Sequence, residues 1–208
     1  MTDSTSHPLA VYRLLPRRGE FRTLLLGGSL RRLIRWQITG SATDLPTWFS
    51  ASWDGNPAWR KGEFPSGYPG APVLSRRVAD LLAADLSESG PFVPIVIEAA
   101  DPAFPADADA GGSDDYVLHL VKQTVDCLDA RRSSKPKKTT GEITKAVFRP
   151  EALPVGLASF RVPEFRGGVY WNAWAVDLLT ELLGDDLEAR PVWSEDPAVR
   201  PHPNPWGF

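Results

Sequence analysis

The 208-residue sequence predicts an α+β domain with a mixed, largely antiparallel sheet, two similar amphipathic helices and many loops. Short apolar runs bounded by glycine and proline are typical of strands. Two longer stretches repeat leucine at helical spacing. The 17 glycines and 20 prolines require numerous loops. We expect one domain at residues 9–193, between a flexible lead (1–8) and a proline-rich extended tail (194–208).

Two stretches of the chain are similar in sequence and predict the same structural unit. Residues 70–97 and 167–194 align without a gap and share six identities in 28 positions. The identities pair Gly70 with Gly167, Asp80 with Asp177, Leu81 with Leu178, Leu82 with Leu179, Leu86 with Leu183 and Pro94 with Pro191. The pattern predicts an internal duplication of a helix-then-strand unit.

Each copy is expected to begin its helix at a capping residue and to end it at a glycine. Ser75 and Asn172 have side chains that can accept a hydrogen bond from a first-turn N–H, and Gly90 and Gly184 suit the helix ends. The helical apolar positions are Leu74, Val78, Leu81, Leu82 and Leu86 in one copy and Trp171, Ala175, Leu178, Leu179, Leu182 and Leu183 in the other. The strands that follow, 94–97 and 191–193, would each open on proline, which suits an edge or the start of a strand.

The first third of the chain is predicted to add strands. Residues 10–16 and 21–26 are short apolar runs bounded by proline and glycine. Ile34, Trp36 and Ile38 alternate with polar residues, and this period of two predicts a third strand with one wet face.

Residues 44–72 are interpreted as a segment with little regular structure, because five prolines interrupt them. They also carry Trp48, Phe49, Trp53 and Trp59. The segment is either a loop pinned to the core by its aromatic side chains or an aromatic platform for a partner or a sugar.

The second half of the chain mixes strands with charged loops. Residues 101–115 form an acidic, low-complexity loop without the ligand spacing of an EF-hand. A buried strand is predicted at 116–121, and residues 121–129 fit either a helical turn or an extended chain. Two further strands are predicted at 145–149 and 158–162.

Charge is distributed unevenly along the chain. The net charge of −3 argues against nucleic-acid binding by the chain as a whole. Residues 1–35 hold seven arginines against Asp3 and Glu20, a local charge of +5, so residues 36–208 carry −8. The acidic remainder favours a basic partner.

The expected compartment is the cytoplasm. A single cysteine, Cys127, excludes an internal disulfide and a multi-cysteine metal site. The N-terminus lacks a signal-peptide pattern, and no apolar run reaches the length of a membrane span. Secretion by a route that needs no N-terminal signal is the alternative.

Motifs for catalysis, cofactors and metals are missing from the sequence. No phosphate-binding glycine loop, nucleophile elbow or HExxH occurs. A Cys127–His119 dyad is conceivable, but eight residues along an uncertain strand give no reason for the two side chains to meet. Asp80 and Asp177 fall on polar helix faces and are expected to be solvated. We therefore predict no catalytic residue, no cofactor site and no metal site.

Three pieces of the chain resemble the bacterial polymorphic-toxin immunity proteins known as immunity protein eleven. They are PVLSRRVADLL (72–82), YVLHLVKQTVDCLD (116–129) and SFRVPEFRGGVYWNAWAVDLLTELL (159–183). The family pattern is a Ser-capped helix, a Tyr-led strand that ends near an aspartate, then Phe-Arg, a glycine-rich turn and a second capped helix. Its counterparts here are Ser75, Tyr116, Asp126 and Asp129, Phe160-Arg161, Gly167-Gly168 and Asn172, and they cover about residues 65–195.

The resemblance implies a non-enzymatic protein that sequesters a cognate toxin domain by protein–protein contact. It implies no catalytic residue. Trp53 and Trp59 are candidate anchors, and Asp114 and Asp115 are candidate steering charges. Trp174 adds an aromatic residue where Asn172 already departs from the family's usual serine, so it is a further candidate contact. The alternatives are an adaptor or structural protein of a secretion or phage-like system, and an enzyme of small-molecule or peptide metabolism.

Overall fold

The computed structural model describes residues 8–17, 19–41, 45–98 and 115–207, and they form an α+β fold, as predicted. The strands are β1 (Ala10–Pro16), β2 (Phe21–Leu25), β3 (Phe49–Asp54), β4 (Arg60–Lys61), β5 (Val73–Ser75), β6 (Phe92–Ile97), β7 (Tyr116–His119), β8 (Ser159–Val162), β9 (Phe165–Asn172) and β10 (Leu187–Ser194). The helices are α1 (Ser29–Thr39), α2 (Arg76–Leu81), α3 (Ala83–Leu86) and α4 (Ala173–Leu183). Short 3-10 helices lie at Pro150–Ala152 and Gly184–Asp186.

The strands are divided between two sheets. A four-stranded antiparallel sheet has the order β10-β1-β9-β8. A six-stranded mixed sheet has the order β4-β2-β3-β6-β7-β5, in which the β2–β4 and β3–β6 pairs are parallel. The N-terminal strand β1 thus lies between two strands from the last quarter of the chain.

The two similar segments have the same order of elements and the same pairing pattern. In residues 70–97, β5 and β6 flank β7 and are both antiparallel to it, with α2 and α3 between them in sequence. In residues 167–194, β9 and β10 flank β1 in the same way, with α4 between them in sequence. In each unit, the two strands of a strand–helix–strand segment lie on either side of a third strand, which comes from another part of the chain. Their origin by duplication stays a prediction.

The two helical units share one core. Leu74, Val78, Leu82 and Leu86 of the first segment pack in the same apolar cluster as Trp171, Ala175, Leu179 and Leu183 of the second. Leu81 is an exception, because its side chain is 57 % exposed. Asp80 and Asp177 are exposed, as expected.

The starts of the two helices differ. Ser75 caps α2, and its hydroxyl accepts a hydrogen bond from Val78 N at 3.3 Å. Asn172 occupies the same position before α4 but makes no capping bond. Its Nδ2 donates to the Pro154 and Leu157 carbonyls at 2.8 and 2.6 Å. The prediction of an Asn172 cap was wrong, because the side chain binds a neighbouring loop.

The prediction of a strand around Trp36 was also wrong, since Ser29–Thr39 is helix α1. Leu33, Trp36 and Gln37 are buried, at the spacing of one helical face, while Ile38 is 63 % exposed. The helix ends at Gly40, whose φ of 69° is the left-handed conformation that glycine adopts readily.

Three other segments differ from expectation. Residues 44–72 contain the sheet strands β3 and β4 and are not merely irregular. Residues 145–149 form no strand and make only an isolated bridge between Leu128 and Phe148. Residues 120–128 form an extended segment that is hydrogen-bonded to β8 through residues 123–125. Strands β6 and β10 begin before their prolines. Pro191 lies on an edge strand next to a register shift, where its missing N–H is tolerated.

The two sheets are joined by close contacts between buried polar groups and backbone. Val169 N on β9 donates to the Pro69 carbonyl at 3.0 Å, and Gln37 Nε2 on α1 holds the neighbouring Gly70 carbonyl at 2.7 Å. Asp186, beside β10, accepts hydrogen bonds from Arg60 and from Glu63 N. Among the described helices, none is both long and apolar enough to cross a membrane.

Candidate partner-binding cleft

A cleft of about 320 Å³ opens at the end of the six-stranded sheet where β3, β5, β6 and β7 meet. Tyr116 opens β7 directly opposite Ser75 on β5, and Ile97 closes the neighbouring strand β6. The residues that line the cleft are Trp53, Lys61, Glu63, Ser75, Arg76, Arg77, Ile97, Asp115 and Tyr116. The cleft therefore combines an aromatic wall with a charged rim.

The aromatic wall is built by Trp53 and Tyr116. Their ring centroids lie 5.3 Å apart at an interplanar angle of 76°, the edge-to-face arrangement that aromatic pairs favour. Two cations lie over the Trp53 ring, with Arg22 Cζ at 5.6 Å and Lys61 Nζ at 5.7 Å from its centroid. These contacts hold the tryptophan in one place while leaving it half-buried.

Glu63 is the centre of the polar network on the opposite side of the cleft. Its carboxylate accepts hydrogen bonds from Ser75 Oγ and Arg77 Nε, both at 2.8 Å. The hydrogen bond from Arg77 lowers the pKa of Glu63, and the bond from Ser75 adds to this effect. Glu63 is consequently ionised at neutral pH and fixes the start of α2 against the cleft.

Tyr116 keeps its proton. Burial raises its pKa to about 12, and the charges of Asp115, Glu63 and Asp186 act in the same direction. The hydroxyl donates to the Gly62 carbonyl at 3.2 Å. Tyr116 is therefore an apolar surface with a satisfied polar tip, and it is not poised as a base.

The acid-rich segment of the chain leaves and returns at this cleft. Ile97 and Asp115 both line it, and residues 99–114 connect them. That segment carries four aspartates and no lysine or arginine, while the lining residues carry three cations and two carboxylates. The lining residues alone thus carry one more cation than carboxylates, and residues 99–114 lie outside the described residues.

The structure brings some of the predicted contact residues together. Trp53 and Asp115 share the cleft, and Asp114 lies outside the described residues. Trp59, 38 % exposed, is not among the residues that line the cleft, and its ring packs over Gly55 near the backbone of Arg22. Trp174 lies elsewhere, beside Val155, whose carbonyl accepts a hydrogen bond from its indole at 3.0 Å.

Sequence reasoning missed Glu63, Arg77 and Tyr116 as parts of the site. Tyr116 was recognised only as the first residue of a strand. Glu63 precedes strand β5 in sequence and Arg77 follows it, 14 residues later, and no local motif links them. The sequence offered one indirect signal, the predicted Ser75 cap. Any carboxylate that binds the Ser75 hydroxyl must lie beside the start of the helix, as Glu63 does.

His119 and Cys127 are both buried and have different partners. His119 Nε2 lies 3.0 Å from Ser159 Oγ, and burial lowers the pKa of the ring to about 3. The Cys127 thiol points to the Val125 carbonyl, and burial raises its pKa to about 12. The described residues contain no group of three potential metal ligands.

Comparison with known proteins adds no further assignment: no protein-family model matches the chain, and no curated protein matches it.

Proposed function

We propose that this chain is a non-enzymatic binding protein that holds a protein partner in the Trp53–Tyr116 cleft. The partner we propose is a toxin domain, which the protein sequesters in the cytoplasm. The observation that carries the proposal is the cleft, where half-buried aromatic rings are surrounded by ionised side chains. Aromatic anchors in a polar rim are the usual anatomy of an interface hot spot.

The chemistry of the cleft indicates what the partner presents. An apolar or aromatic side chain of the partner fits between Trp53 and Ile97, where it loses contact with water. The net charge of −8 carried by residues 36–208 favours a partner with basic residues around that side chain. The resemblance of residues 65–195 to toxin immunity proteins supports the same kind of partner.

The test is co-expression with the C-terminal domain encoded by the neighbouring toxin gene, scored by growth and by co-purification. We expect the wild-type chain to restore growth and form a complex. W53A is expected to weaken binding by at least about tenfold, the loss typical of a buried aromatic anchor. W48A is the matched control, because Trp48 is 52 % exposed and lies outside the cleft lining.

Two results would count against the proposal. If the wild-type chain neither restores growth nor binds, the toxin partner is wrong. If W53A and W48A bind equally well, the cleft is not the contact surface.

The same complex tests electrostatic steering. D114N/D115N is expected to slow association about tenfold at low salt and to flatten its dependence on ionic strength. D80N/D177N removes the same amount of charge from exposed helix positions and serves as the control. Equal association rates in the two double variants would exclude Asp114 and Asp115 as steering charges.

A further inference from the structure

A second cavity, of about 390 Å³, lies between the C-terminal end of α1 and the β8–β9 hairpin. Its walls include Trp36 and Gln37 from α1, Lys122 and Thr124 from the extended segment, Arg161 from β8 and Arg166 from β9. None of these residues lines the Trp53–Tyr116 cleft. The cavity gathers three cations from three different parts of the chain.

Arg161 is the most unusual of these cations, because a charged guanidinium is 95 % buried without a carboxylate. Its side chain is only 5 % exposed, and its Cζ lies 4.4 Å from the centroid of the Trp36 ring. The Nη1 and Nη2 atoms reach the carbonyls of Arg166 and Lys122 only at 3.4 and 3.3 Å. The Nε atom is buried and has no hydrogen-bond partner.

The surroundings of Arg161 add positive charge. Burial, and to a smaller extent the neighbouring Arg166, lower the pKa of Arg161 to about 10. Arg166 Nη1 donates to the Ile38 carbonyl at 2.8 Å, so the negative end of the α1 dipole offsets part of this charge. Among the described residues, no carboxylate lines the cavity, and no ion pair involves Lys122, Arg161 or Arg166.

A buried cation without a counter-charge is costly, and an anion supplied from solution removes that cost. Guanidinium groups match the oxygens of phosphate and carboxylate groups. The volume lies within the usual range for small-molecule sites.

We propose that this cavity binds the phosphate or carboxylate group of a small anionic ligand through Arg161, Arg166 and Lys122. The site does not depend on the toxin-binding proposal, since the two share no residue. It also joins α1 to the four-stranded sheet, so a bound anion would tie the two halves of the fold together.

The experiment uses the purified full chain and two probes, inorganic phosphate and citrate, at constant ionic strength. Calorimetry measures affinity, and thermal melting measures stabilisation. K122Q/R166Q is the test variant, because both side chains are exposed and their replacement leaves the core intact. R131Q/K135Q removes two exposed cations elsewhere and is the control.

We expect at least one probe to bind the wild-type chain and the control with equal affinity, and to bind K122Q/R166Q at least about tenfold more weakly. Preference for phosphate or for citrate distinguishes the two ligand chemistries, and either supports the proposal. It is overturned if neither probe binds the wild-type chain, or if K122Q/R166Q binds as tightly as the control.

Discussion

At the scale of single residues, His119 shows how burial alone sets the behaviour of an ionisable group. Its ring lies between Phe92 and Trp171, with centroid distances of 5.3 and 5.8 Å. One ring nitrogen meets the Ser159 hydroxyl, and the other is buried without a partner. A proton added to this ring would create a buried charge without a counter-ion, so the neutral form is retained.

The pH dependence of His119 follows from this environment. Its pKa is lowered to about 3, whereas a histidine in an unfolded chain titrates near 6.5. Below about pH 6.5, His119 binds a proton in the unfolded state but not in the folded state. This residue therefore lowers the free energy of unfolding by up to about 1.4 kcal/mol for each pH unit towards 3.

NMR of the His119 ring between pH 7 and pH 4.5 checks this prediction. The ring carbon and proton shifts are expected to stay at their neutral values while the protein is folded. A titration midpoint near 6.5 would show that the ring reaches solvent.

The candidate cleft was only partly predictable, because its residues meet through tertiary contacts. Trp53 and Asp115 stood out in the sequence as an aromatic residue in a loop and an acidic residue in a charged run. Tyr116 is 63 residues from Trp53 and becomes its neighbour only when β3, β6 and β7 align. The basic cavity was missed altogether, since Lys122, Arg161 and Arg166 share no motif.

At the scale of the elements, Ser75 and Asn172 occupy equivalent positions before α2 and α4, but their side chains have different roles. Ser75 satisfies a helix N–H and also donates to Glu63. Asn172 leaves its helix uncapped and binds two loop carbonyls instead. A propensity scale treats both residues as good caps, so the sequence predicts the helix boundary without the role of the side chain.

Urea unfolding of S75A and N172S separates these roles. S75A is expected to lower the free energy of unfolding by about 1 kcal/mol, the usual cost of a lost cap. N172S introduces a better cap but removes two hydrogen bonds, so we expect a net loss of about 1 kcal/mol or more. A stabilised N172S would mean that the capping bond outweighs the contacts with Pro154 and Leu157.

Helix α1 was mistaken for a strand because periods of two and of 3.6 are hard to separate over five residues. Ile34, Trp36 and Ile38 suggested alternation, yet the buried set is Leu33, Trp36 and Gln37. The longer pattern from Leu30 through Leu33 to Gln37, followed by Gly40, was the better signal. Strand β3 was missed for the opposite reason: prolines on both sides obscured the alternating Phe49, Ala51 and Trp53.

At the scale of the whole molecule, the glycines that begin the two similar segments meet where the sheets join. A Cβ atom at Gly70 would lie 2.6 Å from the Gly167 carbonyl oxygen and would also collide with Gln37 Nε2. Gln37 is fixed there by its hydrogen bond to the Gly70 carbonyl. The junction therefore requires glycine for close approach, although the sequence alone indicated only a repeat boundary.

G70A is expected to lower the free energy of unfolding by about 2 kcal/mol, because neither the carbonyl nor the buried amide can move freely. G156A is the control, since a Cβ there has no neighbour within 4 Å. Urea unfolding measures both variants. Equal stability of the two would show that the junction is loose enough to admit a methyl group.

The position of β1 has a consequence for biosynthesis. Val11 pairs with Asn172, 161 residues later, and Leu14 pairs with Ala189. During translation, β1 leaves the ribosome on the order of ten seconds before its partner strands β9 and β10 are synthesised. During that interval its leucine and valine side chains are open to chaperones and to mispairing with other nascent chains. Folding of the four-stranded half is therefore delayed until its last strands emerge.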